Sequence, residues 1–174
     1  YRADLKSMAS ANRLHQGVNL RGHQVWATYE HFQDLLVIRG IPADEDLLDI
    51  VDFFSTNSDP NIFKERHALS QSEFRKLVQP LIRTGHIVQD FRGGFRTVTP
   101  NSTIDPIELR KEYLRNMVKE YPIITLKQFM RLAGTPFKPE EIKSVLNSFE
   151  EDGTLIKGFL IEDLHEVCWG RKEL

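Results

Sequence analysis

The feature that most constrains the fold is a repeat in which a helix, a terminating glycine and a short strand occur twice, 68 positions apart. The shift aligns similar residues: Glu73 with Glu141, Phe74 with Ile142, Arg75 with Lys143, Leu77 with Val145, Val78 with Leu146, Leu81 with Phe149, Gly85 with Gly153, Ile87 with Leu155 and Val88 with Ile156. Apolar matches alone arise easily by chance. A matched glycine stop followed by the same strand entry indicates a duplicated structural module.

Helix signals are regular in the first half of the chain. Apolar spacing predicts helices over 23–39 and 42–57, each ended or opened by glycine or proline. A third helix begins at a capping box, in which Ser70 and Glu73 satisfy each other's backbone amides, and it ends at Gly85. Trp26 and the phenylalanines of these helices are expected in the core.

The pattern changes to strands after this helix. Residues 86–90 and 95–99 are short alternating runs joined by a loop that contains Gly93 and Gly94. Because paired glycines supply the positive φ of a tight turn, these runs predict a β-hairpin. The polar residues 101–104 that follow are the best candidate for a module boundary.

The second half repeats the cycle. Helices are predicted from Asp105 to about Glu120, from Thr125 to Gly134, and from Pro139 to Gly153. Short strands are predicted over 154–158 and 159–161.

Three helices followed by a hairpin in about 60 residues resemble the winged-helix domain, and the resemblance rests on Ser70–Thr99 and Pro139–Ile161. It implies a mainly α fold with small β-hairpins (α+β), built of two tandem winged-helix modules. The modules are expected over 41–100 and 101–174, behind a basic N-terminal helical arm at 1–40. In that family the third helix enters the DNA major groove, and the hairpin wing touches the backbone or minor groove.

A narrower resemblance lies in the second half. It is carried by residues 121–129, 146–153, 155–159 and 166–169, which are similar to the winged-helix segments beside the motor of Lhr-type large helicases. That family implies a DNA-repair context. The chain has neither a Gly-Lys-Ser/Thr phosphate loop nor an Asp-Glu-x-His box, so it is not itself the motor.

The first module carries the better surface for nucleic acid, since residues 61–100 hold seven basic and three acidic side chains although the whole chain has a formal charge of −2. The candidate nucleic-acid-binding residues on the third helix and wing are Ser72, Arg75, Lys76, Gln79, Arg83, Arg92 and Arg96. Basic and amide side chains of this kind contact phosphates and base edges. They predict a protein that binds DNA, most simply double-stranded, with RNA as an alternative. Its expected role is transcription or repair accessory, or non-motor part of a helicase.

The second module is acidic over 141–174, with eight acidic and four basic side chains, and its third helix exposes Lys143, Asn147, Glu150 and Glu151. Phosphate repels carboxylates, so this module is expected to bind a protein partner. The alternative for the whole chain is therefore a scaffold of paired winged helices that binds proteins and no nucleic acid. The aromatic residues of the helix at 25–38 are expected to dock on the first module or on a second copy of the chain, so a homodimer is an alternative.

No enzyme, cofactor or metal site is expected. The acidic face of Asp46, Asp49 and Asp52 lacks the turn glycine of a calcium loop, and His165 with Cys168 would need ligands from elsewhere. A single cysteine and the absence of a long apolar run predict an intracellular protein with no membrane partner.

Overall fold

The computed structural model describes residues 7–8, 11, 13–100, 103–134 and 136–172. The chain divides into two compact units, Tyr1–Thr103 (unit 1) and Ile104–Leu174 (unit 2). Each unit combines helices with one small antiparallel sheet, which confirms the mainly α, α+β fold with tandem winged-helix modules.

The elements of unit 1 are β1 His15–Val18, β2 Gln24–Ala27, α1 Tyr29–Arg39, a 3-10 turn Glu45–Leu47, α2 Leu48–Thr56, α3 Pro60–Arg66, α4 Gln71–Thr84, β3 Ile87–Gln89 and β4 Phe95–Thr97. Helices α2, α3 and α4 followed by the β3–β4 hairpin are the winged-helix part. Helix α3 has only seven residues and was not predicted. Its signal is the pair Asp59 and Pro60, in which the Asp59 carboxylate accepts from the Asn61 amide and the proline occupies the first turn.

The N-terminal segment differs from the predicted helical arm. Residues 24–27 were expected to begin a helix and instead form β2, and the helix starts only after Thr28, whose hydroxyl accepts from the His31 amide. The short stretch 24–27 does not distinguish helical from strand spacing, and pairing with β1 determines the strand. Strand β1 also pairs with β3, so the sheet order is β2-β1-β3-β4 and the segment is part of unit 1.

The sheet of unit 1 is covered on both faces. One face packs on α2–α4 in a core of Leu47, Ile50, Phe53, Phe54, Phe63, Phe74, Val78, Leu81, Ile87 and Phe95. Helix α1 packs on the other face: its Phe32 ring lies so close to Gly17 of β1 that an added Cβ there would be 2.5 Å from a ring carbon. Glycine at this position therefore lets the helix approach the strand.

The elements of unit 2 are α5 Pro106–Lys119, β5 Ile123–Thr125, α6 Leu126–Ala133, α7 Pro139–Glu151, β6 Leu155–Gly158 and β7 Cys168–Arg171. The sheet order is β5-β7-β6, all antiparallel. The strand predicted at 159–161 is wrong: Gly158 pairs with Cys168, so β6 returns through a loop over 159–167 to β7. Phe159 in that loop is 72% exposed.

No helix among the described residues is long and apolar enough to cross a membrane.

Candidate nucleic-acid interface

Local sequence signals determine both ends of helix α4. Its Ser70 hydroxyl accepts from the Glu73 amide at 3.3 Å, while the Glu73 carboxylate accepts from the Ser70 amide at 2.8 Å. Gly85 ends the helix in the left-handed conformation. Phe74, Val78 and Leu81 are buried on one side, so the opposite side of the helix is presented outward.

The outward side carries the predicted candidates. Ser72, Arg75, Lys76 and Arg83 are exposed and Gln79 is half-buried. Among the described residues, no carboxylate forms an ion pair with Arg75, Lys76 or Arg83. These cations are therefore not neutralised locally.

The single acidic residue of α4, Glu73, lies in the first turn of the helix. Hydrogen bonds from the Ser70 side chain and backbone hold the pKa of Glu73 below its ordinary value, so the carboxylate is charged at the helix N-terminus. This position complements the helix dipole and keeps the negative charge engaged in the cap. The remaining face of α4 is neutral or positive.

Arg92 lies in the tight turn of the β3–β4 hairpin. One carboxylate oxygen of Asp90 accepts from the amides of Arg92 and Gly94, both at 2.8 Å, and Gly93 takes a φ of 87°. The turn is thus fixed by its own side chain and by a glycine at the position that needs positive φ. The Arg92 side chain is exposed, as the winged-helix comparison predicts for a wing tip.

Arg96 lies elsewhere, in the middle of β4 and opposite Val88. Its guanidinium stacks over the Tyr29 ring of α1 at 3.8 Å from the centroid. Tyr29 also donates to the Thr97 carbonyl and accepts from the Thr99 amide. Arg92 and Arg96 therefore do not form one pair at a hairpin tip, and part of the Arg96 side chain serves the contact between α1 and the sheet.

A cleft beside this hairpin is not predicted from the sequence. It has a volume of about 240 Å³ and is lined by His15, Phe54, Ser55, Thr56, Asn57, Ser58, Asp90, Phe95 and Arg96. The Nδ1 atom of buried His15 has no hydrogen-bond partner among the described residues. Burial first, and the Arg96 charge second, lower the pKa of His15 below 6.5, so the ring is neutral at pH 7. No local motif marks this site, because its residues come from strand β1, the end of α2 and the hairpin.

Trp26 was expected in the core and is 44% exposed. It lies 6.2 Å, centroid to centroid, from Phe91 of the hairpin turn, which is 51% exposed. Sequence spacing placed Trp26 on a helix, so its contact with the hairpin could not be anticipated.

In unit 2 the corresponding helix α7 exposes Lys143, Asn147, Glu150 and Glu151, as predicted from the sequence. Glu150 pairs with Lys157 of β6 at 3.6 Å. A separate groove of about 510 Å³ is lined by Leu126, Lys127, Met130, Glu166, Val167 and Trp169. Trp169 is only 6% exposed, and its buried indole Nε1 has no acceptor among the described residues.

Among the described residues, no group of three or more His, Cys, Asp or Glu side chains is arranged to hold a metal ion. Cys168 is buried and free, and its thiol makes a weak 3.4 Å hydrogen bond to the Glu166 carbonyl.

The order α5-β5-α6-α7-β6-β7 in unit 2 and the three helices with a hairpin in unit 1 define a tandem winged-helix architecture. Among solved structures, the Streptomyces sahachiroi DNA glycosylase AlkZ is similar over 99% of this chain, with a TM-score of 0.67 and 10% sequence identity. The chain spans 56% of the length of that glycosylase. At this identity the similarity shows a shared fold.

No protein-family model matches the chain, and no curated protein matches it in sequence. The likeness of the second half to Lhr-type helicases stays a prediction.

Proposed function

We propose that the chain binds double-stranded DNA through unit 1, with α4 as the helix that enters the major groove. The observation that carries the proposal is the outward face of α4, on which Arg75, Lys76 and Arg83 are exposed and have no carboxylate partner in the described part of the chain. Arginine and lysine on a groove-entering helix contact both base edges and phosphates. The Arg92 tip of the hairpin supplies a further contact to the DNA backbone.

The fold comparison supports DNA as the ligand. AlkZ is a DNA glycosylase, and its structure is similar over almost the whole of this chain. RNA is the less favoured alternative, because the deep, narrow major groove of an RNA duplex does not admit side chains. The role that fits is an accessory one, in repair or transcription, or beside the motor of a helicase.

In this proposal the chain binds DNA and catalyses no reaction on it. The sequence has no Gly-x-Ser-x-Gly elbow and the Cys168 thiol is buried, so neither a serine nor a cysteine nucleophile is presented to DNA. Release of modified bases from duplex DNA, followed as abasic sites cleaved by alkali, tests this part. We expect no release above the rate without protein, and protein-dependent release would show that the chain is an enzyme.

Salt dependence tests the electrostatic basis of binding. Fluorescence anisotropy of a labelled duplex, measured over a range of salt concentrations, should give a log–log slope of about −0.9 per phosphate contacted. Arg92→Ala should reduce that slope by about 0.9, since it removes one phosphate contact. Binding that is flat against salt, or no binding at low salt, would refute duplex recognition by this surface.

Unit 2 favours a second candidate function, peptide binding. The groove of Leu126, Met130, Val167 and Trp169 is mainly apolar, and Met130 and Val167 are exposed. Covering such a surface with another apolar surface is favourable. The occupant proposed here is therefore an apolar segment of a partner protein.

A displayed random-peptide library tests this second candidate. Selection on the wild-type chain should enrich apolar sequences that fail to bind Met130→Glu, a change that places a charge on the groove wall. Lys143→Glu, which alters charge on exposed α7 instead, is the matched control and should retain the peptides. Failure to enrich any sequence, or equal binding to Met130→Glu, would contradict peptide binding in the groove.

A further inference from the structure

Two large aromatic side chains lie together on the surface of unit 1. Trp26 and Phe91 are 44% and 51% exposed, and their ring planes are inclined at 55° with centroids 6.2 Å apart. Exposing two such rings to water is unfavourable, and adjacent exposed aromatics indicate an interaction site. Neither ring belongs to the hydrophobic core of the unit.

The sheet order explains how the two rings meet. Trp26 lies on the edge strand β2 and is paired with Gln16 of β1. Gln16 is also paired with Gln89 of β3, and Phe91 lies two residues after Gln89, in the hairpin turn. Two strands from distant parts of the sequence therefore place both rings at the turn of the β3–β4 hairpin, where Arg92 follows Phe91 in the chain.

We propose that Trp26 and Phe91 form a stacking platform for an unpaired nucleobase, with Arg92 holding an adjacent phosphate. This inference rests on the proposed DNA binding and names the form of DNA that this part of the unit selects: a duplex end, fork or bubble with unpaired bases. The bases within a duplex are covered on both faces by their neighbours. An unpaired base offers a free face to an exposed ring, and stacking of this kind tolerates any base.

The charge around the platform favours nucleic acid over an apolar peptide. Arg92 adjoins Phe91 in the chain and is exposed, and no carboxylate pairs with it among the described residues. The nearby Asp90 is engaged by the turn, since one of its oxygens accepts from the Arg92 and Gly94 amides. An aromatic surface beside a free cation is the combination used to bind single strands.

Tryptophan fluorescence tests the platform directly. The chain has two tryptophans, and Trp169 is only 6% exposed, so quenching by an added strand reports on Trp26. We expect a forked DNA with an unpaired arm to quench the fluorescence and to bind about 5- to 150-fold more tightly than the fully paired duplex, the range given by one stacked base. The Trp169→Phe variant should show the same quenching, which assigns the signal to Trp26.

Trp26→Ala and Phe91→Ala should each reduce the preference for the fork while leaving the affinity for the paired duplex within about twofold, whereas Trp26→Phe should keep most of the preference. A single-stranded RNA arm that binds as well as DNA would also support the platform, because the ring face reads the base and not the sugar. Tight duplex binding without quenching or fork preference would overturn the platform and leave the proposed function standing. No binding to any of these DNAs would overturn both.

Discussion

Arg39 shows how much one side chain contributes to unit 1. From the last turn of α1, its guanidinium donates to the carbonyls of Val18, Asn19 and Thr84 at 2.5–3.1 Å. It therefore joins β1, α1 and the end of α4, where helix carbonyls lack partners of their own. The same guanidinium lies against Gly85, where an added Cβ would be 2.1 Å from one of its nitrogens.

We expect Arg39→Met to lower the free energy of unfolding by about 2–4 kcal/mol, because three partly buried carbonyls lose a charged donor. Urea denaturation followed by circular dichroism measures this difference. Arg21→Met, at an exposed turn, is the matched control and should change stability by less than about 0.5 kcal/mol. An equal, small effect of both changes would contradict the structural role of Arg39.

Two buried histidines make the stability of unit 1 depend on pH. Burial is the main cause that lowers the pKa values of His15 and His86 below 6.5. Below pH 6.5 the unfolded chain therefore binds more protons at these two histidines than the folded chain does. Their contribution to the free energy of unfolding is fully present above pH 6.5 and is lost as the pH falls toward the lowered pKa values.

The free energy of unfolding should accordingly decrease between pH 7.5 and pH 5.5, and His15→Phe should reduce that decrease. His23→Phe serves as the matched control, because it introduces the same side chain at an exposed position of the unit. Urea titrations at both pH values check the prediction. A pH dependence identical in the wild type and His15→Phe would exclude His15 as its source.

At the scale of elements, an arginine–glutamate pair joins two helices of unit 2. Arg110 of α5 donates from two nitrogens to the two carboxylate oxygens of Glu141, at 2.8 and 2.9 Å, and stacks over the Phe137 ring at 4.7 Å. Glu141 also accepts from the Lys138 amide at the start of α7. The hydrogen bonds from Arg110 are the main cause that lowers the pKa of Glu141, so the pair is charged at neutral pH.

Arg110→Lys should destabilise unit 2 by about 1–3 kcal/mol, since lysine keeps the charge but loses the planar fork and the ring contact. Lys111→Ala removes the neighbouring, exposed pair with Glu108 and should cost less than about 1 kcal/mol. Thermal and urea unfolding compare the two variants. If Arg110→Lys is as stable to unfolding as the wild type, the bidentate hydrogen bonds from Arg110 to Glu141 do not stabilise the contact between α5 and α7.

The elements that could be predicted from the sequence are those whose signals are local. Capping residues, glycine stops and the Gly93–Gly94 turn lie within a few positions of what they determine, and they correctly gave α4, the hairpin and the helices of unit 2. Strand pairing between distant segments has no such signal. The role of β1, the place of Trp26 and the return strand β7 therefore emerge only in the structure.

The candidate site divides in the same way. The exposed polar face of α4 follows from helical periodicity, which places Ser72, Arg75, Lys76 and Arg83 on it. The stacking of Arg96 on Tyr29, the His15 cleft and the Trp26–Phe91 pair each join residues more than 60 positions apart in sequence, or lie where a helix was expected. Local pattern contains no information about such contacts.

For the whole molecule, the two units share a plan but differ in the surface that the third helix presents. Arg75 on α4 corresponds to Lys143 on α7 in the repeat, so the two positions carry the same charge in equivalent places. On α4 the exposed neighbours include Lys76 and Arg83, whereas on α7 they include Glu150 and Glu151. Only unit 1 should therefore attract the DNA backbone through this helix.

The comparison of Arg75→Ala with Lys143→Ala in duplex binding tests the central claim most directly. Both changes remove one exposed cation from a third helix, so any general effect of charge is shared. We expect Arg75→Ala to weaken binding by about fivefold or more and to reduce the salt slope by about 0.9, while Lys143→Ala stays within about twofold of the wild type. Equal losses, or an effect of Lys143→Ala alone, would contradict recognition of DNA by α4.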